Sequence, residues 1–195
     1  MKEKHLTSPL TAEEARSLRA GEIVLLSGVI YTARDAAHAR LTQALQAGED
    51  LPVDLREQTI FYAGPCPTPP GHACGSIGPT TAYRMDAFTP GLLHYGLRAM
   101  IGKGDRGPGV RQAMEETGAV YFTAVGGCAA TMAVCVESVE VVAYEDLGTE
   151  SLKRLVVKDL PLTVAIDCVG GNAYEDGRAA WMKQQAEIQQ TEPER

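Results

Sequence analysis

The stretch Ile23-Val-Leu-Leu-Ser-Gly-Val-Ile30 restricts the possible folds more than any other part of this sequence. Almost every side chain in it is apolar, so a strand built from it must be covered on both faces, and the run is too short to span a bilayer. A strand is expected over Glu22–Ile30, with Gly28 leaving room for close backbone approach. Segments rich in Val and Ile alternate with helical patterns through the first two-thirds of the chain. That alternation is the signature of a parallel sheet with helical crossovers. Later Val-rich segments add antiparallel pairs. The expected fold class is α/β, with a mostly parallel central sheet and additional antiparallel strands.

Local signals place the remaining elements. Thr11-Ala-Glu-Glu14 has capping-box spacing, so a helix is expected from about Ala12 to Arg19, ended by Gly21. Thr32 with Asp35 reads as a variant of the same box, opening a helix in the Tyr31–Leu41 region with Ala37, Leu41 and Leu45 as its buried stripe. Thr59–Ala63 is a second strand. The proline- and glycine-rich stretch Gly64–Gly78 is an irregular loop, and loops of that length in a compact domain usually carry function. Thr89-Pro90 starts a helix to about Arg98, followed by a short strand at Ala99–Ile101, a helix near Val110–Thr117 and a strand at Ala119–Val125. Thr131–Val136 is a further apolar run. Ser138–Tyr144 alternates as a half-buried strand does. Leu152–Val157 and Leu162–Ile166 read as two strands separated by Lys158-Asp159 and Pro161. From Gly177 a C-terminal helix fades into a charged tail. The 195 residues fit one domain, spanning 1–195 with the helix and tail from about 177.

Bulk properties exclude several partners. A net charge of −7 with no basic stripe argues against nucleic acid. The first seven residues, Met-Lys-Glu-Lys-His-Leu-Thr, are too polar for a signal peptide, and no apolar run has membrane-spanning length, so a cytoplasmic protein is expected. The five cysteines, Cys66, Cys74, Cys128, Cys135 and Cys168, are scattered without zinc-site spacing. They read as free thiols with packing roles.

The chemistry gathers around Gly78-Pro-Thr-Thr-Ala-Tyr-Arg-Met-Asp86. Pro79 fixes its own φ and disfavours helix at Gly78, so Thr80 is presented at a defined bend. If a helix starts there, Thr80 and Arg84 share one face, and a guanidinium beside a hydroxyl suits a carboxylate. Taken alone, the same pair is an N-cap and a surface arginine. Arg34 falls in a first helical turn, where a cation opposes the helix dipole; an anion bound there would justify it, and a surface arginine is the alternative. His38, one turn on, reads as a packed histidine. Gly102-Lys-Gly-Asp-Arg-Gly107 has G-x-G-x-x-G spacing, but Pro108 follows directly and Val125-Gly126-Gly127 stands where a ribose-binding acid belongs, so dinucleotide binding is rejected. A glycine-rich turn with Lys103 at a helix N-terminus still suits a small anion. Cys128, without a nearby histidine, reads as a packed thiol.

Four stretches, Ser27-Gly-Val-Ile-Tyr-Thr-Ala-Arg-Asp-Ala-Ala-His38, Tyr62-Ala-Gly-Pro65, Gly78–Asp86 and Gly102-Lys-Gly104, together resemble the beta subunit or C-terminal domain of class I iron–sulfur fumarate hydratases. The L-tartrate dehydratase beta subunit is similar. The resemblance runs from about Leu6 to Tyr174. It implies a swivelling β/β/α three-layer domain that closes over a four-iron four-sulfur cluster bound by a partner alpha subunit, in an alpha2beta2 assembly, with no metal ligand on this chain. It implies that Arg34, Arg84 and Lys103 bind the dicarboxylate, that Thr80 is the catalytic base, that Thr81, Gly102, Gly104 and His38 support them, and that the partner supplies the proton donor. Alanine is common in the family at the positions of Cys66 and Cys128, which sets both apart from any cluster. The turn Asp167–Asn172 looks variable in the family, which leaves the substrate open.

The reaction makes sense of these residue types. Moving water across a dicarboxylate requires two carboxylates neutralised, one C–H proton removed and one hydroxyl activated. Fumarate hydration is the first expectation, dehydration of tartrate or another hydroxy-diacid the second, and a non-catalytic dicarboxylate sensor the third.

Overall fold

The computed structural model describes residues 3–191. These residues form seven strands and six helices: β1 (Lys4–Ser8), α1 (Ala12–Ser17), β2 (Ile23–Thr32), α2 (Asp35–Ala47), β3 (Thr59–Phe61), α3 (Thr89–Tyr95), β4 (Ala99–Gly102), α4 (Pro108–Thr117), β5 (Val120–Thr123), α5 (Ala129–Val134), β6 (Val136–Ala143), β7 (Leu152–Ile166) and α6 (Ala173–Thr191). Short 3-10 turns occupy Ala82–Met85 and Glu145–Glu150. No helix among the described residues is long and apolar enough to cross a membrane.

The sheet is mixed and mostly parallel. β1, β2, β3, β4 and β5 pair in parallel, and β7 runs antiparallel to β2, β5 and β6. Thr163 of β7 pairs with Ile23 on one side and Thr123 on the other, so β2, β3, β4, β5 and β7 form a closed ring. Strand alternation then sorts the apolar residues into two cores. Val24, Leu26, Ile30, Phe61, Ile101, Val120, Phe122, Leu155 and Val164 point into the ring. Ile60, Tyr62, Met100 and Tyr121 point outward beneath α2, α3 and α4, against Ala37, Leu41, Leu92, Val110 and Met114.

Several boundaries differ from the sequence expectation, each for a local reason. β1 is a strand although its sequence is polar, because it runs along the exposed edge of β2. Tyr31 and Thr32 stay in β2, paired to β3 and β7, so α2 begins at Asp35 and Thr32 caps nothing. The helix after Phe88 ends at Tyr95, where Gly96 takes φ 124. Ala129–Val134 is helical, and the C-terminal helix starts at Ala173. The two late strands are one, β7. Its Pro161 lies on an edge that has passed β6 and not yet reached β5, so the missing N–H interrupts no ladder bond there. The capping box of α1 is present as expected, Thr11 Oγ1 accepting from Glu14 N–H and Glu14 from Thr11 N–H.

Gly28 joins β1 to β2 closely. Its φ is +103, and a Cβ there would lie 2.3 Å from the Ser8 carbonyl oxygen. Gly28→Ala is therefore expected to destabilise the chain by about 3 kcal/mol in urea denaturation, through backbone strain and displacement of β1.

Candidate functional site

Parallel strands end on a common rim, and the loops beyond their carboxyl ends are where α/β sheets place ligands. Four of the chain's motifs emerge on that rim: Ala33-Arg34 after β2, Tyr62-Ala63-Gly64 after β3, Lys103-Gly104 after β4 and Gly126-Gly127 beyond β5. The segment Gly78–Asp86 is threaded between them. Thr80 N–H donates to the Tyr62 carbonyl at 2.7 Å, and Lys103 N–H donates to the Thr80 carbonyl at 3.2 Å. Ala82 N–H returns to the Lys103 carbonyl at 2.9 Å, making Thr81 and Lys103 a short parallel bridge. Thr80 is thus fixed on both sides by backbone, with its side chain half-buried. Lys103 is exposed, its stem lying against Gly126.

Gly102 makes this approach possible. A Cβ there would meet Tyr62 at 2.9 Å and Ala82 at 3.1 Å. Gly104 has room but adopts φ +80.

The arginines form a second group. Arg84, on the 3-10 turn, pairs through Nε with Asp35 Oδ1 at 2.9 Å. Arg34 is the N-cap residue of α2, and its Nη2 pairs with Glu150 Oε1 at 3.1 Å, with Asp35 Oδ2 at 3.9 Å. Asp35 therefore stands between the two guanidinium groups. The expected shared helical face of Thr80 and Arg84 is replaced by a different arrangement: the turn starts at Ala82, so Thr80 precedes it and caps nothing. His38 is fully buried below the rim, its Nδ1–H donating to the Arg34 carbonyl at 2.9 Å and its ring edge-on to Tyr62. Burial holds its pKa down to about 4, the Arg34 carbonyl pulling upward and the Arg106 charge downward.

Arg106 is the residue that sequence reasoning missed. Its side chain is buried, donating from Nε to Asp86 Oδ1 at 2.7 Å, from Nη2 to Thr89 Oγ1 at 2.8 Å and from Nη1 to the Tyr62 hydroxyl at 3.1 Å. Tyr62 and Tyr121 flank it, with ring centroids 5.2 and 5.1 Å away. Asp86 Oδ2 accepts from Gly107 N–H at 2.6 Å, at the N-terminus of α4. The Gly107 N–H at this helix N-terminus is thus taken by the chain's own Asp86 carboxylate. A buried arginine has no periodic signal; the available hint was an acid closing one motif and a cation inside another.

The donor set does not fit a metal centre. Among the described residues no three His, Cys, Asp or Glu side chains are grouped to hold an ion. Cys66 and Cys128 are exposed, Cys74 and Cys168 buried, and Cys135 intermediate.

Fold and rim together define a class: an α/β domain that presents cations and hydroxyls from strand-end loops, as a small-anion site requires. The profile described as Fumarase C-terminus matches residues 1–177, and the chain belongs to that family. It is 39% identical over 152 residues to "Fumarate hydratase class I, anaerobic" of Escherichia coli K12, a match covering 77% of this chain and 28% of that protein. It is 40% identical over 152 residues to "Fumarate hydratase 1, mitochondrial" of Leishmania major, with the same shares. A "Putative L(+)-tartrate dehydratase subunit beta" of Methanocaldococcus jannaschii is 39% identical over 173 residues, 86% of this chain and 89% of that protein. The chain thus spans little more than a quarter of the fumarate hydratases it matches, and nearly all of the tartrate dehydratase subunit.

Two measurements probe this site. Asp86→Asn leaves Arg106 buried without its counter-ion and is expected to cost 3 kcal/mol or more, roughly, in urea denaturation. Burial holds folded His38 at about 4, well below its ordinary 6.5, so the unfolded chain binds more protons between those values. Its contribution to stability is complete above pH 6.5 and falls as the pH drops toward 4, by about 2 kcal/mol at pH 5. A His38→Leu variant should lack that part of the slope.

Proposed function

We propose that this chain is the beta subunit of a hydro-lyase that interconverts fumarate and L-malate. What supports the reading is that Arg34 and Arg84 both pair with Asp35, and Thr80 is bonded through backbone to Lys103, on strand-end loops of a member of the Fumarase C-terminus family. Arg34, Arg84 and Lys103 bind the two substrate carboxylates through charge-assisted hydrogen bonds. Thr80 takes the C–H proton in the dehydration direction, and the hydroxyl departs as water with a proton from the partner. An unperturbed threonine hydroxyl is a very weak base, so the three cations must favour its alkoxide. Thr81 bridges to Lys103, Gly102 and Gly104 let the two segments approach, and His38 supports Arg34 from below. In this reading an alpha subunit, in an alpha2beta2 enzyme of the cytoplasm, would hold the four-iron four-sulfur cluster, which would supply Lewis-acid chemistry for the leaving hydroxyl. The domain described above is the swivelling β/β/α unit that closes over it.

A second reading is favoured by coverage. The tartrate dehydratase subunit matches this chain almost end to end, whereas the matched fumarate hydratases are much longer. L-Tartrate is therefore the alternative substrate for the same machinery.

With the alpha subunit co-purified, Thr80→Ala is expected to lower turnover by about 10²-fold or more while the KM and the melting temperature stay close to wild type. Turnover unaffected by the substitution would remove Thr80 as the base. Comparing malate and tartrate dehydration by the wild-type pair distinguishes the two substrates.

A further inference from the structure

The segment Glu145–Glu150, between β6 and β7, has no part in the reading above, yet it is tied down unusually tightly. Lys153, on β7, is buried, and among the described residues no carboxylate pairs with it. Its ammonium donates to the carbonyls of Gly148 at 2.8 Å and Thr149 at 3.1 Å, and to Ser151 Oγ at 2.6 Å. Ser151 Oγ–H in turn donates to the Gly148 carbonyl at 2.7 Å. Thr149 packs so closely on Gly64 that a Cβ there would lie 2.7 Å from its methyl group. Arg40 of α2 grips Asp146 with both Nη groups.

The product of this bracing is the position of Glu150. Its Oε2 accepts from Ala36 N–H at 3.2 Å, in the first turn of α2, a helix without a side-chain N-cap. Its Oε1 holds Arg34 Nη2. One carboxylate therefore offsets the unfavourable cation at a helix N-terminus and fixes that cation's direction. Arg34 Nε is meanwhile shut off from solvent without a hydrogen-bond partner. A carboxylate so braced is poorly placed to swing aside as a competitor for substrate.

We infer that Glu150, braced by Lys153, is a positioning residue that holds the Arg34 guanidinium in its carboxylate-binding orientation. The inference rests on the reading of Arg34 as a substrate-binding group. Orientation of this kind matters because a misdirected guanidinium forfeits the geometry that makes arginine–carboxylate bonds strong.

The test is an NMR titration of the full chain with fumarate and with L-malate, alongside the Arg34 Nε–H signal without ligand. Glu150→Gln keeps an oxygen for Ala36 N–H but loses the ion pair, whereas Glu150→Asp keeps the charge but falls short by a methylene. Each is expected to weaken binding about tenfold and to shift and broaden the Arg34 Nε–H signal. Circular dichroism reports that the fold is kept, and the aspartate variant carries the test if the glutamine variant does not fold. An unchanged Arg34 signal, or binding as tight as or tighter than wild type while Arg34→Ala binds weakly, overturns the positioning role and leaves the substrate reading standing. Arg34→Ala binding like wild type would overturn the role of Arg34 itself.

Discussion

The rim depends on one buried guanidinium. Arg106 joins Asp86, Thr89 and Tyr62 across three separate motifs, and without it the Thr80 segment and the Lys103 loop would share backbone bonds and the Asp86–Gly107 contact alone. A buried charge is costly unless paired and saturated with hydrogen bonds. Here Asp86 supplies the pairing, the hydroxyls of Tyr62 and Thr89 supply the remaining acceptors, and two aromatic faces enclose the rest. The arrangement tolerates little substitution at any member, which links the order of the site to the packing of the outer core.

Electrostatically the rim follows one rule twice. At α4 the carboxylate of Asp86 takes the Gly107 N–H, and at α2 the carboxylate of Glu150 takes the Ala36 N–H. Both helix N-termini are thus satisfied from within, and the cations beside them are oriented by the same acids. Arg34 and Arg84 pair with Asp35 and Glu150, and Lys103 adds a third cation on the same rim, so these five groups sum to a net positive charge in a chain whose formal net charge is −7. The positive charge is local, as recognition of a small anion needs, and the acidic remainder of the surface opposes adhesion to larger polyanions.

The sequence conveyed strands whose environment is uniform and hid those whose environment is not. β2 is mostly apolar and was legible, and the α1 capping box carries its own spacing. β1 is polar, so propensity alone argues against it, and Pro161 made β7 read as two strands; β2 offers both an edge. Arg34, Thr80, Arg84 and Lys103 stood out as candidates because their motifs follow strand ends, and His38 is packed, as its sequence position suggested. The roles of Arg106, Glu150 and Lys153 were invisible, since a buried arginine or lysine is specified by partners distant in sequence.

Closure of the sheet by β7 has a consequence for how the molecule meets its neighbours. A ring leaves no unpaired central strand, so among the described residues only the outer sides of β1 and β6 lack a second strand. β1 carries Lys4 and His5, and β6 exposes Glu137 and Glu140. Charge on such margins discourages the stacking of like chains into extended ribbons. Any assembly this protein enters is therefore steered toward contacts between side chains and away from backbone ladders.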